Sequence, residues 1–468
     1  MANTPKNRFR RQVRGFVLIW AGITFIMASV TFIAIYLSYS SLVGEAGTTG
    51  LRNVAIPTGT QQTATPSLTA TATPDEAPAA ATQPAETPTL EPEARAEAQA
   101  PPMTPTPRPI DVDRFELGVQ VQVSYDRMDE WMNVAANQLG VNWVKMQVRW
   151  ENMEPERGSY DWFYTDTFLP AARDQNLHVL VSVVTAPDWA REPGVDLTRH
   201  GPPADYQLYV DFVSALLRRY PDMIHAVEVW NEQNLDREWT SVRGLNATDY
   251  VELLRRTYAA IRAIDDGIIV VSGALSPTGL SDGVRAWDDF VYMDQMIEAG
   301  MLDYADCIGV HHNGINVSPN YRWDSIPNNP NAQFRGPFDN PHHSWSFRST
   351  LETYAEKVAL AGGSQKLCVT EFGWPSADGL EGVPQGIEFA YDNSLETQRD
   401  FTVAALNNMR DWGFVRLAFL WNLNYGPQAG WSPDNDNVPY SIIGPGFVFR
   451  PVFDAVRDWN RDYEAQFQ

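Results

Sequence analysis

Apolar and polar residues are distributed unevenly, and their pattern divides the chain into three parts. No charged residue occurs from position 15 to position 44, where Phe, Ile, Leu, Val and Ala predominate. Positions 45–112 are rich in Pro, Thr and Ala and contain no Phe, Tyr or Trp. Positions 113–468 mix apolar and polar residues as globular domains do. The three parts therefore predict three different kinds of structure.

Within 113–468, short apolar runs alternate with longer stretches that have one apolar face. Runs of about five to eight residues are typical of parallel strands, and a 3.6-residue period is typical of amphipathic helices. The runs that fit strands number eight and are 115–123, 142–148, 177–184, 225–230, 267–273, 306–311, 366–370 and 415–421. Amphipathic stretches, such as 205–219, 247–264 and 397–412, lie between them.

This alternation predicts an α/β protein, a (β/α)8 TIM barrel over 113–468. A doubly wound open sheet is the alternative. It is disfavoured because no Gly-rich phosphate loop follows the first strand.

The uncharged segment 15–44 is long enough to cross a bilayer, whose apolar core of about 30 Å needs roughly 20 apolar residues. Glu45 follows it, and five cations precede it: Lys6, Arg8, Arg10, Arg11 and Arg14. The positive-inside rule then places the tail 1–14 in the cytoplasm and the rest of the chain outside. A cleaved signal peptide is the alternative, but its apolar core would be shorter, about 7–15 residues. We expect a transmembrane signal anchor and a single-pass protein of the cell membrane with an extracytoplasmic domain.

The Pro/Thr/Ala-rich segment 45–112 cannot bury enough apolar surface to offset its conformational entropy. We expect a disordered, extended linker between the anchor and the globular domain.

Charge and cysteine content narrow the classes of partner. With 58 acidic and 35 basic residues the net charge is −23, which argues against nucleic acid as a ligand. The two cysteines, Cys307 and Cys368, exclude a disulfide framework and a Cys-based zinc module. Because side-by-side parallel strands rarely satisfy disulfide geometry, we expect two buried thiols. The segment 434–437, DNDN, is interpreted as a turn rather than a calcium site. We expect neither a metal ion nor a cofactor. We also expect a monomer.

Two predicted strands end in a carboxylate, at the end of a barrel where catalytic residues lie. Glu232 ends EVWNEQN on strand four, and Glu371 ends CVTEFGWPS on strand seven. A single glutamate of this kind is more often a solvated group or part of an ion pair. A pair can cleave a glycosidic bond with retention if the two carboxyl groups lie about 5–5.5 Å apart.

In these two motifs the chain resembles the clan A glycoside hydrolases, which are retaining (β/α)8 enzymes with Asn-Glu ending strand four and a second Glu ending strand seven. The resemblance covers 113–468. The pair Gln233-Asn234 is more similar to family 39 and its relatives than to family 5 cellulases, where Pro often follows the acid/base Glu. The resemblance implies that Glu232 is the acid/base and Glu371 the nucleophile.

Supporting roles are also implied by the resemblance. Asn231 would hydrogen-bond the sugar 2-hydroxyl, and Arg149 would lie near Glu371 and keep it ionised. Trp421, which ends strand eight, would stack under the sugar at the cleavage point.

On strand six the resemblance is incomplete. His311 matches the His of a His-x-Tyr pattern, but Asn313 stands where the Tyr that orients the nucleophile is expected. The orienting hydrogen bond is therefore unassigned, with His312 or a tyrosine from another loop as candidates.

Aromatic residues are frequent in the predicted loops after the strands, and the long loop 312–347 after strand six is of a length typical of functional loops. A row of such rings suits a polysaccharide, whereas a single Trp more often packs its own loop onto the barrel. The residues concerned are Trp189, Trp239, Tyr321, Trp323, Trp345, Trp374, Tyr425 and Trp431. Of these, Trp189 and Trp374 are predicted to bind substrate.

Together these features predict a membrane-tethered, extracytoplasmic retaining glycoside hydrolase that acts on a β-linked oligo- or polysaccharide. The alternative is a surface carbohydrate-binding or scaffold protein on an inactive barrel.

Overall fold

The structure is a computed structural model that describes residues 110, 113–333 and 341–467. The predicted cytoplasmic tail, membrane anchor and linker (1–112) lie outside the described residues apart from Ile110. Among the residues described, no helix is both long enough and apolar enough to cross a membrane.

The strands form one closed parallel barrel in which each strand pairs with the next and the last pairs with the first. They are β1 (Glu116–Gln120), β2 (Trp143–Arg149), β3 (His178–Val184), β4 (Ala226–Val229), β5 (Ile269–Ser272), β6 (Cys307–Asn313), β7 (Lys366–Gly373) and β8 (Val415–Leu420). Each lies within or close to a predicted run. The TIM barrel is confirmed, and the open sheet is wrong.

A helix of six or more residues follows every strand and packs on the outside of the barrel. The helices are α1 (Met128–Asn133), α2 (Phe163–Asp174), α3 (Tyr206–Arg219), α4 (Ala247–Ile264), α5 (Asp289–Glu298), α6 (Phe347–Leu360), α7 (Leu395–Trp412) and α8 (Pro451–Glu464). After α1 the chain continues as a π-helix, Val134–Leu139. The hairpin β9 (Ile443–Gly444) and β10 (Val448–Phe449) precedes α8.

Side chains set where these helices begin. The residues before α3, α4 and α7 are Asp205, Asn246 and Ser394, and each accepts a hydrogen bond from a backbone N–H of the first turn. Such caps stabilise a helix by about 1 kcal/mol, because they satisfy donors that have no partner within the helix. At its other end α7 stops at Gly413, whose φ of 71° is costly for residues with a Cβ.

The inside of the barrel changes from apolar to charged along the strands. Side chains two positions apart on a strand face the same way. The lower layer is apolar and comprises Trp143, Leu180, Ala226, Ile269, Val271, Cys307, Cys368, Leu417 and Phe419. Lys145 lies two residues after Trp143 on β2, and Glu228 lies two residues after Ala226 on β4. Both are fully buried. The charged layer thus lies between the apolar floor and the carboxyl ends of the strands.

The prediction of two buried thiols is wrong, since Cys307 and Cys368 form a disulfide. Cys307 is in register with Lys366, and Cys368 with Gly309, so the two cysteines are diagonal neighbours rather than directly opposite. Their Cα atoms are 5.7 Å apart, within the usual range of about 4.4–6.8 Å. Both side chains face the barrel interior, where this diagonal placement lets them meet.

Candidate active site

A cleft of about 960 Å³ opens at the carboxyl ends of the strands. Five of the eight residues predicted for the site line it: Arg149, Asn231, Glu232, Glu371 and Trp421. His311 lies directly beneath, in contact with both glutamates. The two carboxylates proposed from distant parts of the sequence therefore share one site.

The loop after β4 holds Glu232 in an uncommon backbone conformation. Trp230 and Glu232 have φ values of 76° and 47°, which cost about 1–3 kcal/mol each in a residue with a Cβ. The N–H of Glu232 donates to the carbonyl of Ala274 at 2.8 Å. Gln233 Nε2 donates to the carbonyl of Gly273 at 2.7 Å. These bonds to the loop after β5 maintain the conformation that presents Glu232 to the cleft.

Asn234 strengthens the same attachment. Its Nδ2 donates to the carbonyls of Ser276 and Trp287, and its Oδ1 accepts from the N–H of Ser276 at 3.0 Å. The Gln233-Asn234 pair, which the sequence motif singled out, thus serves to fix this loop.

Two side chains, His311 and Arg237, contact the carboxylate of Glu232. His311 Nδ1 lies 3.3 Å from Oε1, and Arg237 donates to Oε2 at 2.9 Å. Burial favours the neutral acid, but the hydrogen bond and charge of His311 and the charge of Arg237 outweigh it and lower the pKa of Glu232 to about 2. With both partners in place Glu232 is ionised.

Two side chains donate hydrogen bonds to Glu371, and a third lies nearby. Lys145 Nζ donates to Oε1 at 3.2 Å, and Asn313 Nδ2 donates to Oε2 at 3.3 Å. His311 Nε2 lies 3.7 Å from Oε1. Asn313 therefore donates a hydrogen bond to the carboxylate from the position where the resemblance predicts a tyrosine. This bond needs neither His312 nor a tyrosine from another loop.

The imidazole of His311 joins the two glutamates through its two nitrogens. Burial lowers the pKa of His311, but the charge of Glu371 and the hydrogen bond with Glu232 raise it above the ordinary value. The buried ring contacts both carboxylates: Nδ1 is hydrogen-bonded to Glu232, whereas Nε2, 3.7 Å from Glu371, makes no hydrogen bond.

A buried ion pair supports this arrangement, and the sequence reasoning missed it. Lys145 Nζ lies 3.4 Å from Glu228, whose carboxylate also accepts hydrogen bonds from Ser182 and Thr370. Burial alone would lower the pKa of Lys145, but the charges of Glu228 and Glu371 raise it. The signal was present in the sequence, because a strand buried on both faces rarely carries a Lys or Glu without a partner.

Arg149, which was predicted to lie near Glu371, lines the same cleft, but its hydrogen-bond partners are Glu151 and His200. Arg149 Nε donates to Glu151 at 3.1 Å, and another guanidinium nitrogen lies 3.2 Å from His200 Nε2. As the last residue of β2, Arg149 lies on the side wall of the cleft. Lys145 lies four residues before Arg149 on β2, deeper in the barrel. There it contacts Glu371.

Only some of the predicted aromatic residues line the cleft. Trp421 and Tyr425 line the cleft, with ring centroids 4.9 Å apart. Trp374 is 1% exposed, donates to the carbonyl of Val317 and packs in the core, so its predicted contact with substrate is wrong. Trp189 donates to the carbonyl of Glu154, packs against Trp150 and is not among the residues that line the cleft, and its contact with substrate stays a prediction.

Three further tyrosines in the cleft lining were not singled out from the sequence: Tyr125, Tyr164 and Tyr440. Glu238 was also missed. It lines the cleft next to Arg237, and burial together with the charge of Glu232 raises its pKa.

Amide side chains give the cleft unused hydrogen-bonding capacity. The Oδ1 atoms of Asn231 and Asn313 are buried and accept no hydrogen bond. Buried polar atoms without partners are costly, so such atoms beside a cleft suit a ligand that brings hydroxyl donors.

Among the described residues, one group could hold a metal ion: Asp288, His342 and His343, whose ligand atoms lie within 4.8 Å of one another. None of the three lines the cleft. At 434–437 the backbone N–H groups bond to nearby Ser and Asn side chains, as expected of a turn.

Comparison with known proteins identifies similar folds. Residues 122–199, which run from the loop after β1 to the loop after β3, match the glycoside hydrolase family 42 model, described as beta-galactosidase. This match includes neither Glu232 nor Glu371. No curated protein matches the chain.

Solved structures match over most of the barrel. A family 39 glycoside hydrolase from the gut symbiont Bacteroides cellulosilyticus WH2 is 17% identical, with a TM-score of 0.53 over 76% of this chain and 65% of that chain. GH5_18 from Streptomyces cattleya, solved with GlcNAc, is 15% identical, with a TM-score of 0.53 over 76% and 82%. Xylanase 10B from Thermotoga maritima is 15% identical, with a TM-score of 0.50 over 75% and 97%.

The chain resembles the clan A glycoside hydrolases. The shared barrel confirms the predicted fold, and the match of 122–199 to a glycoside hydrolase family agrees with the resemblance. The enzyme class predicted from the sequence, an O-glycosyl hydrolase, is also that of the matching family and of these structures. The chain spans about two thirds of the length of the family 39 structure, 65%.

Proposed function

We propose that this protein is a retaining glycoside hydrolase that cleaves a β-linked oligo- or polysaccharide outside the cytoplasmic membrane. The observation that carries the proposal is the position of Glu232 and Glu371 on the two nitrogens of one buried imidazole, at the floor of an open cleft. Retention requires two carboxyl groups in one small site, and both lie within 3.7 Å of His311.

The first step forms a covalent intermediate. A carboxylate oxygen of Glu371 attacks the anomeric carbon, the bond to the leaving oxygen breaks, and that oxygen receives the proton of Glu232. In the second step water attacks the anomeric carbon and gives its proton to Glu232, and the bond to Glu371 breaks. Lys145 and Asn313 stabilise the leaving carboxylate.

The first step needs a protonated Glu232, whereas the pKa of about 2 describes an ionised one. Arg237 is the partner that a substrate can displace, because its side chain is 65% exposed while that of His311 is 2% exposed. When the leaving oxygen takes the place of Arg237, the carboxylate loses a nearby cation and gains affinity for a proton.

The disulfide supports the extracytoplasmic part of the proposal. Disulfides persist in oxidising compartments and are rare in the cytosol. The bond between Cys307 and Cys368 therefore agrees with the export that segment 15–44 and its preceding cations predict. We propose a single-pass anchor and an extended linker for 1–112 on the sequence pattern alone, and a monomer.

Two variants test the assignment of the carboxylates. Glu371→Ala should abolish turnover, and azide should restore part of it and give a glycosyl azide of inverted configuration. Glu232→Ala should slow substrates with poor leaving groups far more than activated aryl glycosides, and azide should then give a product of retained configuration.

The substrates for this test are β-glucan, xylan, mannan and aryl β-glycosides. If neither variant changes turnover, the assignment fails. If the unmutated protein binds these glycans but cleaves none of them, it is instead a carbohydrate-binding protein on an inactive barrel.

A further inference from the structure

Three aromatic rings form an exposed cluster at one end of the cleft. Tyr125 follows β1, and Phe163 and Tyr164 begin α2. The rings of Tyr125 and Phe163 are stacked, with centroids 5.0 Å apart and planes 25° apart, and the ring of Tyr164 lies 5.7 Å from Tyr125. We call these three residues the aromatic platform.

Most aromatic side chains of this size are buried, but these are not. Tyr125 is 57% exposed and Phe163 is 53% exposed. Exposed apolar patches of this kind usually mark a binding surface, because their contact with water is unfavourable. The rings also pack against one another, which limits the side-chain entropy lost on binding.

The platform is continuous with the site of chemistry. Tyr125 and Tyr164 line the same cleft as Glu232 and Glu371. The glutamates project from β4 and β7, whereas the platform belongs to the β1 and β2 side of the barrel. A ligand that touches both must extend across the cleft, which at about 960 Å³ is near the upper end of the range for ligand pockets, about 300–1,000 Å³.

The charges along this path favour a neutral ligand. Each arginine of the cleft is paired with a carboxylate: Arg149 with Glu151, Arg199 with Asp236, and Arg237 with Glu232. Asp161 lies close enough to Tyr125 to affect its ionisation. The hydrogen bond between the hydroxyls of Tyr125 and Tyr164 is the main cause that raises the pKa of Tyr125 to about 12, so this ring also stays neutral.

We propose that the aromatic platform binds a distal pyranose ring of a neutral polysaccharide while another unit of the same chain lies between the two glutamates. Sugar rings have C–H faces that pack on aromatic rings, and amide side chains along the cleft, such as Gln122, Asn152 and Gln428, can bond their hydroxyls. The inference rests on the proposed function and deepens it, since it assigns an extended polymer as substrate.

The test measures binding separately from turnover. Glu371→Gln is the background, so that glycans remain intact, and affinity electrophoresis is run with β-glucan, xylan, mannan and acidic polygalacturonate. In this background Phe163→Ala should weaken binding of a neutral polysaccharide about tenfold, the effect expected of one stacked ring. Tyr125→Ala should have a similar effect.

Phe467→Ala is the matched control. Phe467 is 54% exposed, close to the value for Phe163, but it packs on Arg114 before β1, at the opposite end of the barrel. This variant should bind as tightly as the background.

Three outcomes would overturn the proposal: no neutral polysaccharide binds, Phe163→Ala binds as Phe467→Ala does, or the platform variants weaken polygalacturonate instead. Binding also separates the platform from the proposed function. If the unmutated protein cleaves nothing but neutral polysaccharide binding still requires Phe163, the platform stands and the hydrolase proposal fails.

Discussion

Substitution of Lys145 by Met tests the buried charges under the site. Met is similar in size to Lys and apolar, so the change removes one charge with little change in packing. Lys145 and Glu228 are both fully buried, and the Nζ atom contacts Glu228 at 3.4 Å, Glu371 at 3.2 Å and the carbonyl of Thr370 at 3.1 Å. Loss of one partner of a buried ion pair leaves an uncompensated charge and costs about 3–5 kcal/mol. We therefore expect the free energy of unfolding to fall by about that amount at pH 7.

The pH dependence follows from the pKa of Glu228. In the unmutated protein burial would raise this pKa, but the charges of Lys145 and His311 lower it below the ordinary value of 4.5. The ionised form then stabilises the fold above the pKa of the unfolded chain, and this contribution is lost as the pH falls. In Lys145→Met the pKa of Glu228 rises instead. The difference in stability between the two proteins should therefore be largest near neutral pH and shrink toward pH 4.

Urea unfolding followed by tryptophan fluorescence measures both effects. The matched control is the double variant Lys145→Met, Glu228→Gln, in which the charge and its partner are removed together. It should recover most of the lost stability, because Gln keeps hydrogen bonds to Ser182 and Thr370. A loss below about 1 kcal/mol at pH 7 for the single variant, with no recovery in the double variant, would refute the reasoning.

Three other perturbations have defined outcomes. Arg237→Gln should raise the pKa of Glu232 and so move the alkaline limb of the kcat/KM profile to higher pH; an unchanged limb would contradict the role of Arg237. Replacement of Cys307 and Cys368 by Ser should reduce the free energy of unfolding by about 2–4 kcal/mol, measured in urea; equal stability would mean that the disulfide does not form. Deletion of 1–44 should move the protein from the membrane fraction to the soluble fraction; a soluble full-length protein would contradict the anchor.

Much of the fold could be predicted from the sequence because strands and helices of a parallel barrel have distinct periods. The strand β3, predicted as 177–184, is His178–Val184, and the helix α4, predicted as 247–264, has those bounds. Glu232 and Glu371 were found because a parallel barrel brings all strand ends to one face. Their contacts with His311 then place them in one site.

The errors concern side-chain direction and register, which sequence patterns do not determine. Lys145 and Arg149 lie four residues apart on the same face of β2, so which of them contacts Glu371 depends on their depth in the barrel. Cys307 and Cys368 meet because Cys368 lies two residues beyond Lys366, the residue in register with Cys307. Whether a loop residue such as Trp374 faces the cleft or the core depends on the conformation of its loop. Each of these features is set by tertiary packing rather than by the local sequence.

The most direct test of the central claim is the stereochemistry of the first product. Proton NMR of the unmutated protein acting on a β-glycoside that it cleaves would record the anomer before mutarotation. Double displacement by Glu371 and Glu232 predicts that the β-anomer appears first, because two inversions restore the original configuration. If the α-anomer appeared first, the reaction would be a single displacement, and the roles assigned to both glutamates would be contradicted.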